Sequence, residues 1–245
     1  MRTLFLAWQA PNRAWFPVGR LDADVQRHDY RFGYTKGAQQ AERQVGFRPL
    51  PSFPEFDRTY ESSELFPLFQ NRVLDPGRKD FAMYLASLDL SPSTIDPIEI
   101  LSVSGGERQT DSLEVFPRIE AQPDGAFLCR FFLHGWRHMP ETAQARALSL
   151  RAGEELGVSL ELTNPTEPVA IQVTTRDYAF VGWTPRYLVS DLLKAILSKP
   201  HLSARVVRVN PADVPTNRRV LIELSGMLPH GFQPMSSEPF QLLLH

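Results

Sequence analysis

The stretch VGWTPRYL at residues 181–188 determines the architecture of the C-terminal half, because it joins a strand to a helix. Pro185 fixes its own φ and has no N–H to donate, which suits the first turn of a helix. Three apolar residues then recur at helical spacing, namely Leu188, Leu192 and Ile196. Lys199-Pro200 ends the run. We predict one helix from about residue 184 to residue 199.

Short apolar segments surround this helix on both sides. FLCRFFLHG (127–135), VSLEL (158–162) and IQV (171–173) precede it, and RVLIEL (219–224) follows it. Each segment either alternates or runs apolar for a few residues, which is typical of strands. The C-terminal half is therefore predicted to be a small β-barrel-like domain with one main helix.

The N-terminal half mixes strands with helices. TLFLAW (3–8), VGRL (18–21) and YRFGY (30–34) predict strands. Residues 37–44 are polar and carry no predicted element. Apolar spacing and capping residues predict three helices, at about residues 62–74, 78–88 and 96–105.

The composition changes at AQPDG (121–125), which is the best candidate for a domain boundary. We predict an α+β fold with two small domains. Residues 1–122 form a mixed strand and helix domain, and residues 123–245 form the barrel-like domain.

Composition indicates a globular protein in a reducing compartment. Hydrophobic residues make up 42% and charged residues 22% of the 245 residues, values that exclude wholesale disorder. Cys129 is the only cysteine, so no internal disulfide can form. The apolar run at residues 4–7 is too short for a signal sequence or a membrane span. We expect a cytoplasmic protein with no membrane partner.

The charge balance argues against broad binding to duplex DNA. Residues 1–124 hold 14 basic and 18 acidic residues, a net charge of −4, and residues 125–245 hold 12 and 10, a net charge of +2. A protein that neutralises many phosphates carries a larger basic excess. A site for one strand end or a few nucleotides is compatible with these charges.

Three landmarks give the C-terminal half its resemblance to the HIRAN family. GWRH at 135–138 looks like that family's Gly-X-Arg-aromatic stretch after its first strand. RAGEELGVSLELTNPTEPVAIQV at 151–173 resembles Gly-Asp-X-Leu, a strand, and then Asn-Pro-Tyr-Asp-X-X-Ala-Ile. VGWTPR at 181–186 is similar to Val-Gly-Tyr-Val-Pro-Arg before a helix. The order and spacing of the three together carry the resemblance.

This resemblance implies a pocket that holds the 3′ end of single-stranded DNA. In such a pocket an aromatic ring stacks on a base for about 1–3 kcal/mol, whatever the base. Arg137 would hold a phosphate, and His138 or Trp183 would stack. Asn164 and Glu167 would meet the terminal nucleotide. The expected nucleic-acid contacts are Trp136, Arg137, His138, Asn164, Thr166, Glu167, Trp183 and Arg186.

Two positions in this set depart from the family pattern. Thr166 stands where the family has Tyr, which removes a stacking surface, and Glu167 stands where it has the shorter Asp. We therefore expect weaker end binding than in members with the full motif. Ordinary structural roles also remain open. Trp136 and Trp183 could be core residues, and Arg137 and Arg186 could each pair with a surface carboxylate.

The first half resembles the N-terminal subdomain of HipA-type Ser/Thr kinases, or the small protein HipS found beside a shortened HipT kinase. The likeness rests on VGRL at 18–21, YRFGY at 30–34, LFPLFQNRVL at 65–74 and the helix-to-Gly-Gly segment at 96–106. In HipA the kinase core follows, whereas here the chain continues into the HIRAN-like half. The resemblance implies a docking piece detached from any kinase.

No catalytic, metal or cofactor site is predicted. Gly105-Gly106 lacks the lysine and strand context of a P-loop, and the chain contains no Gly-X-Ser-X-Gly elbow. His134 and His138, with Cys129 upstream, lack a fourth metal ligand. They also lie where a strand enters a turn, so a spacing of four does not bring two imidazoles together.

Two hypotheses about function remain open. The first is a non-catalytic adaptor that binds single-stranded DNA through the HIRAN-like half and docks a HipA/HipT-type kinase through the N-terminal half. The second is an antitoxin-like interaction factor that regulates a Ser/Thr kinase toxin, with DNA binding weak or lost. Both fit a toxin–antitoxin or bacterial defence setting, and neither fixes the oligomeric state.

Overall fold

The computed structural model describes residues 1–108, 110–164, 169–198 and 202–244. The chain divides into two compact units, one formed by residues 1–86, 90–118 and 235–245 and the other by residues 87–89 and 119–234. Residues 235–245, predicted as the end of the C-terminal domain, thus belong to the first unit. Strands make up 33% and helices 25%, which confirms the α+β fold. No helix within the described ranges is long and apolar enough to cross a membrane.

The first unit is built on a five-stranded antiparallel sheet with strand order β4-β3-β2-β1-β5. The strands are β1 (Arg2–Gln9), β2 (Trp15–Asp24), β3 (Asp29–Tyr34), β4 (Tyr60–Ser62) and β5 (Leu113–Pro117). The helices of this part of the chain are α1 (Lys36–Val45), α2 (Pro67–Gln70), α3 (Phe81–Ser87) and α4 (Pro97–Ser104).

Aromatic rings fill the core on one face of this sheet. Phe32 stacks on Phe53 with ring centroids 3.9 Å apart, and both are fully buried. The Tyr34 hydroxyl donates to the Phe53 carbonyl (2.7 Å) and accepts from the Leu50 N–H (2.6 Å). Burial raises the pKa of Tyr34 to about 12, so this phenol stays neutral and holds the loop after α1 against the sheet.

The third predicted helix is confirmed together with its caps. The Asp96 carboxylate accepts from the Ile98 N–H (2.8 Å) at the start of α4, and Gly105 ends it in the left-handed region. The helix predicted at about 62–74 is wrong in its extent, because only the four residues of α2 are helical. Pro67 begins that helix, since proline cannot continue one from an earlier turn.

The second unit is a six-stranded sheet with strand order β6-β11-β10-β7-β8-β9. The strands are β6 (Ala126–Phe132), β7 (Glu155–Glu161), β8 (Ala170–Thr175), β9 (Phe180–Trp183), β10 (Ser203–Val209) and β11 (Val220–Met227). The helices are α5 (Glu141–Leu148) and α6 (Arg186–Ser198), with 3₁₀ turns at Trp136–His138 and Thr216–Arg218. The sheet curls into a half-barrel, as predicted.

One pair of backbone hydrogen bonds joins the two ends of this sheet. The His134 N–H donates to the Trp183 carbonyl (2.9 Å), and the Trp183 N–H donates to the His134 carbonyl (3.2 Å). The chain just beyond β6 therefore pairs with β9, although these strands lie at opposite ends of the sheet order. This closure brings the GWRH and VGWTPR segments side by side.

The outward face of the sheet carries a row of paired charges. The Glu223 carboxylate on β11 is 7% exposed and accepts from Arg130 on β6 (2.8 Å) and Arg205 on β10 (2.9 Å from Nε). Burial alone would raise the pKa of Glu223, but the hydrogen bonds from the two guanidinium groups outweigh it and lower the pKa. Glu223 is therefore ionised at neutral pH and connects three neighbouring strands.

Candidate nucleic-acid interface

Gly135 allows the turn after β6 to pack directly on an indole ring. Its φ is 83°, in the left-handed region, and the 3₁₀ turn Trp136–His138 begins immediately after it. A Cβ at this position would overlap the six-membered ring of Trp183 and lie 2.5 Å from Cζ3. Only glycine combines this backbone conformation with so close an approach, so Gly135 fixes the turn against Trp183.

The opposite end of the same indole is held by a carboxylate. Trp183 Nε1 donates to Glu161 Oε2 (2.6 Å), and Asn164 Nδ2 donates to the same oxygen (3.0 Å). Glu161 ends β7 and reaches past β8 to β9. All three side chains are half-buried. A carboxylate that receives two directed donors is held in one orientation, so Glu161 positions both the amide and the indole.

Trp183 itself has little free ring surface for stacking. Gly135 lies over part of its six-membered ring, and Phe180 packs edge-on with centroids 4.4 Å apart. Its Nε1 is also bound to Glu161. The indole therefore lies between the turn that begins at Gly135 and the loop that carries Asn164. This observation gives Trp183 a supporting position at the site.

The 3₁₀ turn presents three consecutive side chains with different surroundings. Trp136 is half-buried, whereas Arg137 and His138 are exposed. Within the described part of the chain, neither Arg137 nor His138 makes a side-chain hydrogen bond or an ion pair. The turn's backbone is fixed by Gln144 of α5, whose Nε2 donates to the carbonyls of Trp136 (3.2 Å) and Met139 (3.0 Å).

A second basic group lies beside the barrel closure. Arg186 begins α6, and His134 packs edge-on against Tyr187 with centroids 6.5 Å apart. Burial, and then the nearby positive charge of Arg186, together lower the pKa of His134 to about 4. The imidazole is therefore neutral at physiological pH, and the cation at this place is Arg186.

The structure brings most of the predicted site residues to one region of the second unit. Asn164 and Trp183 share the Glu161 carboxylate, and Trp136, Arg137 and His138 follow the glycine that packs on Trp183. Arg186 lies beside His134, whose backbone pairs with that of Trp183. Thr166 and Glu167 lie outside the described residues.

Glu161 is a site residue that sequence reasoning missed. In VSLEL it alternates like any solvent-facing position of a strand, and its partners lie 3 and 22 residues further along the chain. The one sequence feature that could have identified Glu161 was its position at the end of a predicted strand, just before the loop that carries Asn164.

The described residues offer no group of three or more His, Cys, Asp and Glu side chains placed to hold a metal ion. Burial, assisted by the charge of Glu223, raises the pKa of the Cys129 thiol to about 12. A thiol held protonated in this way is a poor ligand and a poor nucleophile.

The arrangement of strands, turn and amide loop can be compared with known families. Residues 126–225 match the HIRAN domain. This confirms the C-terminal part of the resemblance, and the matched region runs from the start of β6 into β11, so it includes Gly135, Glu161, Asn164 and Trp183. The likeness of the first half to HipS receives no such match.

No curated protein matches the chain. A crystal structure of a protein from Lactobacillus plantarum is similar at 18% sequence identity, covering 43% of this chain and 100% of that one, with a TM-score of 0.32. At that score we draw nothing from the likeness.

Proposed function

We propose that the HIRAN domain of this chain binds the 3′ end of single-stranded DNA, without catalysing a reaction on it. The main support is the Glu161 carboxylate, which holds Asn164 and Trp183 in fixed positions. The exposed Arg137 follows two residues after Gly135, which packs on Trp183. A fixed amide can hydrogen-bond a terminal sugar, and an unpaired guanidinium can bind one phosphate. Together these groups suit one strand end.

The distribution of charge supports an end site over a groove that follows a long strand. The net charge of +2 across residues 125–245 supplies too little basic excess for many phosphate contacts. Arg130 and Arg205 are further occupied by Glu223, and Arg146 by Glu154 (2.9 Å). Arg137 in the GWRH turn, by contrast, is exposed and makes no side-chain hydrogen bond or ion pair within the described residues, so it is available to bind one phosphate.

Fluorescence anisotropy with short oligonucleotides tests this proposal. We expect a single strand with a free 3′-hydroxyl to bind more tightly than the same strand with a 3′-phosphate or than a duplex with blunt ends. Asn164→Ala should weaken binding to the free 3′ end about 5- to 30-fold, because it removes a directed contact worth about 1–2 kcal/mol. Arg137→Ala should weaken binding by a similar factor and reduce its dependence on salt.

Arg176→Ala provides the matched control for Arg137→Ala. Arg176 is an exposed arginine of the same unit, in the turn after β8, and it is paired with Glu155. Its removal should leave the affinity for the free 3′ end unchanged. Equal affinities for free and blocked 3′ ends would refute the end-binding proposal.

We further propose that the first unit docks a HipA/HipT-type kinase. The support is the sequence likeness at residues 18–34 and 65–106 together with the net charge of −4 over residues 1–124, which disfavours DNA as the partner of this half. A shortened kinase lacking its own N-terminal subdomain, co-expressed with the full chain, should co-elute with it on size exclusion. Separate elution at micromolar concentration would contradict the docking proposal and leave end binding unaffected.

A further inference from the structure

One edge of β3 in the first unit is covered by a segment from far along the chain. β4 pairs with β3 at residues 30–32, and residues 238–243 contact the edge just beyond that pairing. We call residues 238–243 the returning segment, because the chain comes back to the first unit at residue 235. The partners of the returning segment lie in β1, β3, β5 and α1, which are all formed by residues 1–118.

The returning segment joins this edge through main-chain hydrogen bonds. The Leu243 N–H donates to the Tyr34 carbonyl (2.9 Å), and the Lys36 N–H donates to the Gln241 carbonyl (2.7 Å). Lys36 begins α1, so its N–H is one of those that the helix itself leaves without a partner. The addition of an extended segment to a sheet edge is a common mode of peptide recognition.

An aromatic side chain anchors the returning segment. The Phe240 ring packs edge-on against Phe5, with centroids 5.0 Å apart, and against Phe116, with centroids 6.4 Å apart. Phe5 and Phe116 lie opposite each other in the pairing of β1 with β5. The positions of these two rings are therefore set by strand pairing among residues 1–118, and Phe240 meets a surface that the rest of the unit has already built.

The same surface has a position for Leu242. Apart from its neighbours in the chain, the atom that a Cβ on Gly33 would meet among the described residues is Leu242 Cδ2, at 3.0 Å. The missing side chain of Gly33 thus leaves space for the leucine. Phe240 and Leu242 are half-buried, whereas Gln241 between them is exposed. The site therefore fits an extended peptide with an aromatic residue, a polar residue and a leucine in succession.

Few contacts hold the returning segment in place. Ser236 and Ser237, which precede it, are exposed, whereas Met235 before them is 2% exposed. Release after Met235 would break two main-chain hydrogen bonds to the sheet edge and the contacts of half-buried side chains, while β1 to β5 stay paired. Local opening of this kind requires less free energy than unfolding of the whole unit.

We propose that this edge of β3 is a binding site for an extended peptide, which residues 238–243 fill in cis and which accepts the same sequence in trans when the cis segment is released. A second copy of the chain carries such a peptide and is the partner that the site fits. The inference depends neither on binding of a DNA end nor on docking of a kinase.

Fluorescence anisotropy with a labelled peptide of residues 236–244 tests the site in the full chain. In the wild type, tethering gives the cis segment a high effective concentration, so little peptide should bind. Phe240→Asp places a carboxylate against two buried rings and should release the cis segment. This variant should bind the peptide about 10-fold more tightly than the wild type, or better, whereas a peptide carrying the same substitution should bind neither chain.

A second substitution locates the bound peptide. Gly33→Ala, added to Phe240→Asp, should weaken peptide binding about 5-fold or more, because the new methyl group takes space that Leu242 uses. Leu244→Asp is the matched control for Phe240→Asp, since Leu244 adjoins the returning segment but is 43% exposed. It should bind as little peptide as the wild type. A Phe240→Asp chain that is folded by circular dichroism and binds no peptide would overturn the proposal.

Hydrogen exchange of the wild-type chain tests release without any substitution, and it decides the matter if Phe240→Asp does not fold. The N–H groups of Lys36 and Leu243 should exchange faster than those of β2, because β2 is paired on both sides and opens only with the sheet. Equal protection of the two sets would mean that the returning segment leaves only when the whole unit unfolds, and the proposal would then be wrong.

Discussion

Gly135→Ala should lower the free energy of unfolding of the second unit by about 3 kcal/mol. Of this, about 1–2 kcal/mol comes from placing a Cβ in the left-handed region at φ 83°. A further 1–3 kcal/mol comes from overpacking, because the new methyl group would overlap the Trp183 ring. Urea denaturation followed by far-UV circular dichroism measures the change through the transition midpoint.

Gly153→Ala separates the two contributions. Gly153 also has a φ of 83°, but a Cβ there meets nothing within 4 Å. Its substitution should therefore cost only the backbone contribution, about 1–2 kcal/mol. The Gly135 variant should also bind the 3′ end more weakly, because a displaced Trp183 loses its bond to Glu161, whereas the Gly153 variant should bind normally. Equal losses of stability in the two variants would show that the contact with Trp183 does not contribute.

The sequence predicted the elements around this contact because each carries a local signal. VGWTPRYL combines an apolar strand with a proline suited to a first helical turn, and the structure has β9 at Phe180–Trp183 and α6 at Arg186–Ser198. The start of α4 at Asp96 and its end at Gly105 could likewise be predicted, since each depends on residues within a few positions of each other.

Helix α1 was missed because it buries small residues instead of large ones. KGAQQAERQV has no apolar stripe, and its buried positions are Gly37, Ala38 and Ala41. A Cβ on Gly37 would collide with the Pro17 carbonyl, so the helix lies unusually close to β2. Close packing of this kind needs a glycine and two alanines at helical spacing, a pattern that also fits a polar loop.

The site could be predicted only where residues are close in sequence. GWRH and the Asn164 loop were identified as separate segments, but no local pattern indicated that Glu161 would connect Asn164 to Trp183. That connection depends on β7 and β9 both pairing with β8, which sets the distance between their ends.

We expect the second unit to lose stability through His134 as the pH falls, at pH values above those at which its carboxylates become protonated. The pKa of His134 is about 4 in the folded chain, because of burial and then the charge of Arg186, against an ordinary value of 6.5. At pH 7 both states are neutral at this residue. As the pH falls below 6.5 the unfolded chain binds a proton that the folded protein takes up only near pH 4. Stability is therefore lost across that window, by about 2 kcal/mol between pH 7 and pH 5.

Urea denaturation at pH 7, 6 and 5 measures this loss, and His134→Gln should remove most of the slope whatever its effect on stability at pH 7. His138→Gln is the matched control, since His138 lies on the same turn but is exposed, and it should leave the slope unchanged. Glu223, whose pKa is lowered by Arg130 and Arg205 against the effect of burial, loses its contribution only below its unfolded pKa of about 4.3. It therefore does not affect the window between pH 5 and 6.5. If the free energy of unfolding of His134→Gln still falls between pH 7 and pH 5, a group other than His134 causes the acid sensitivity.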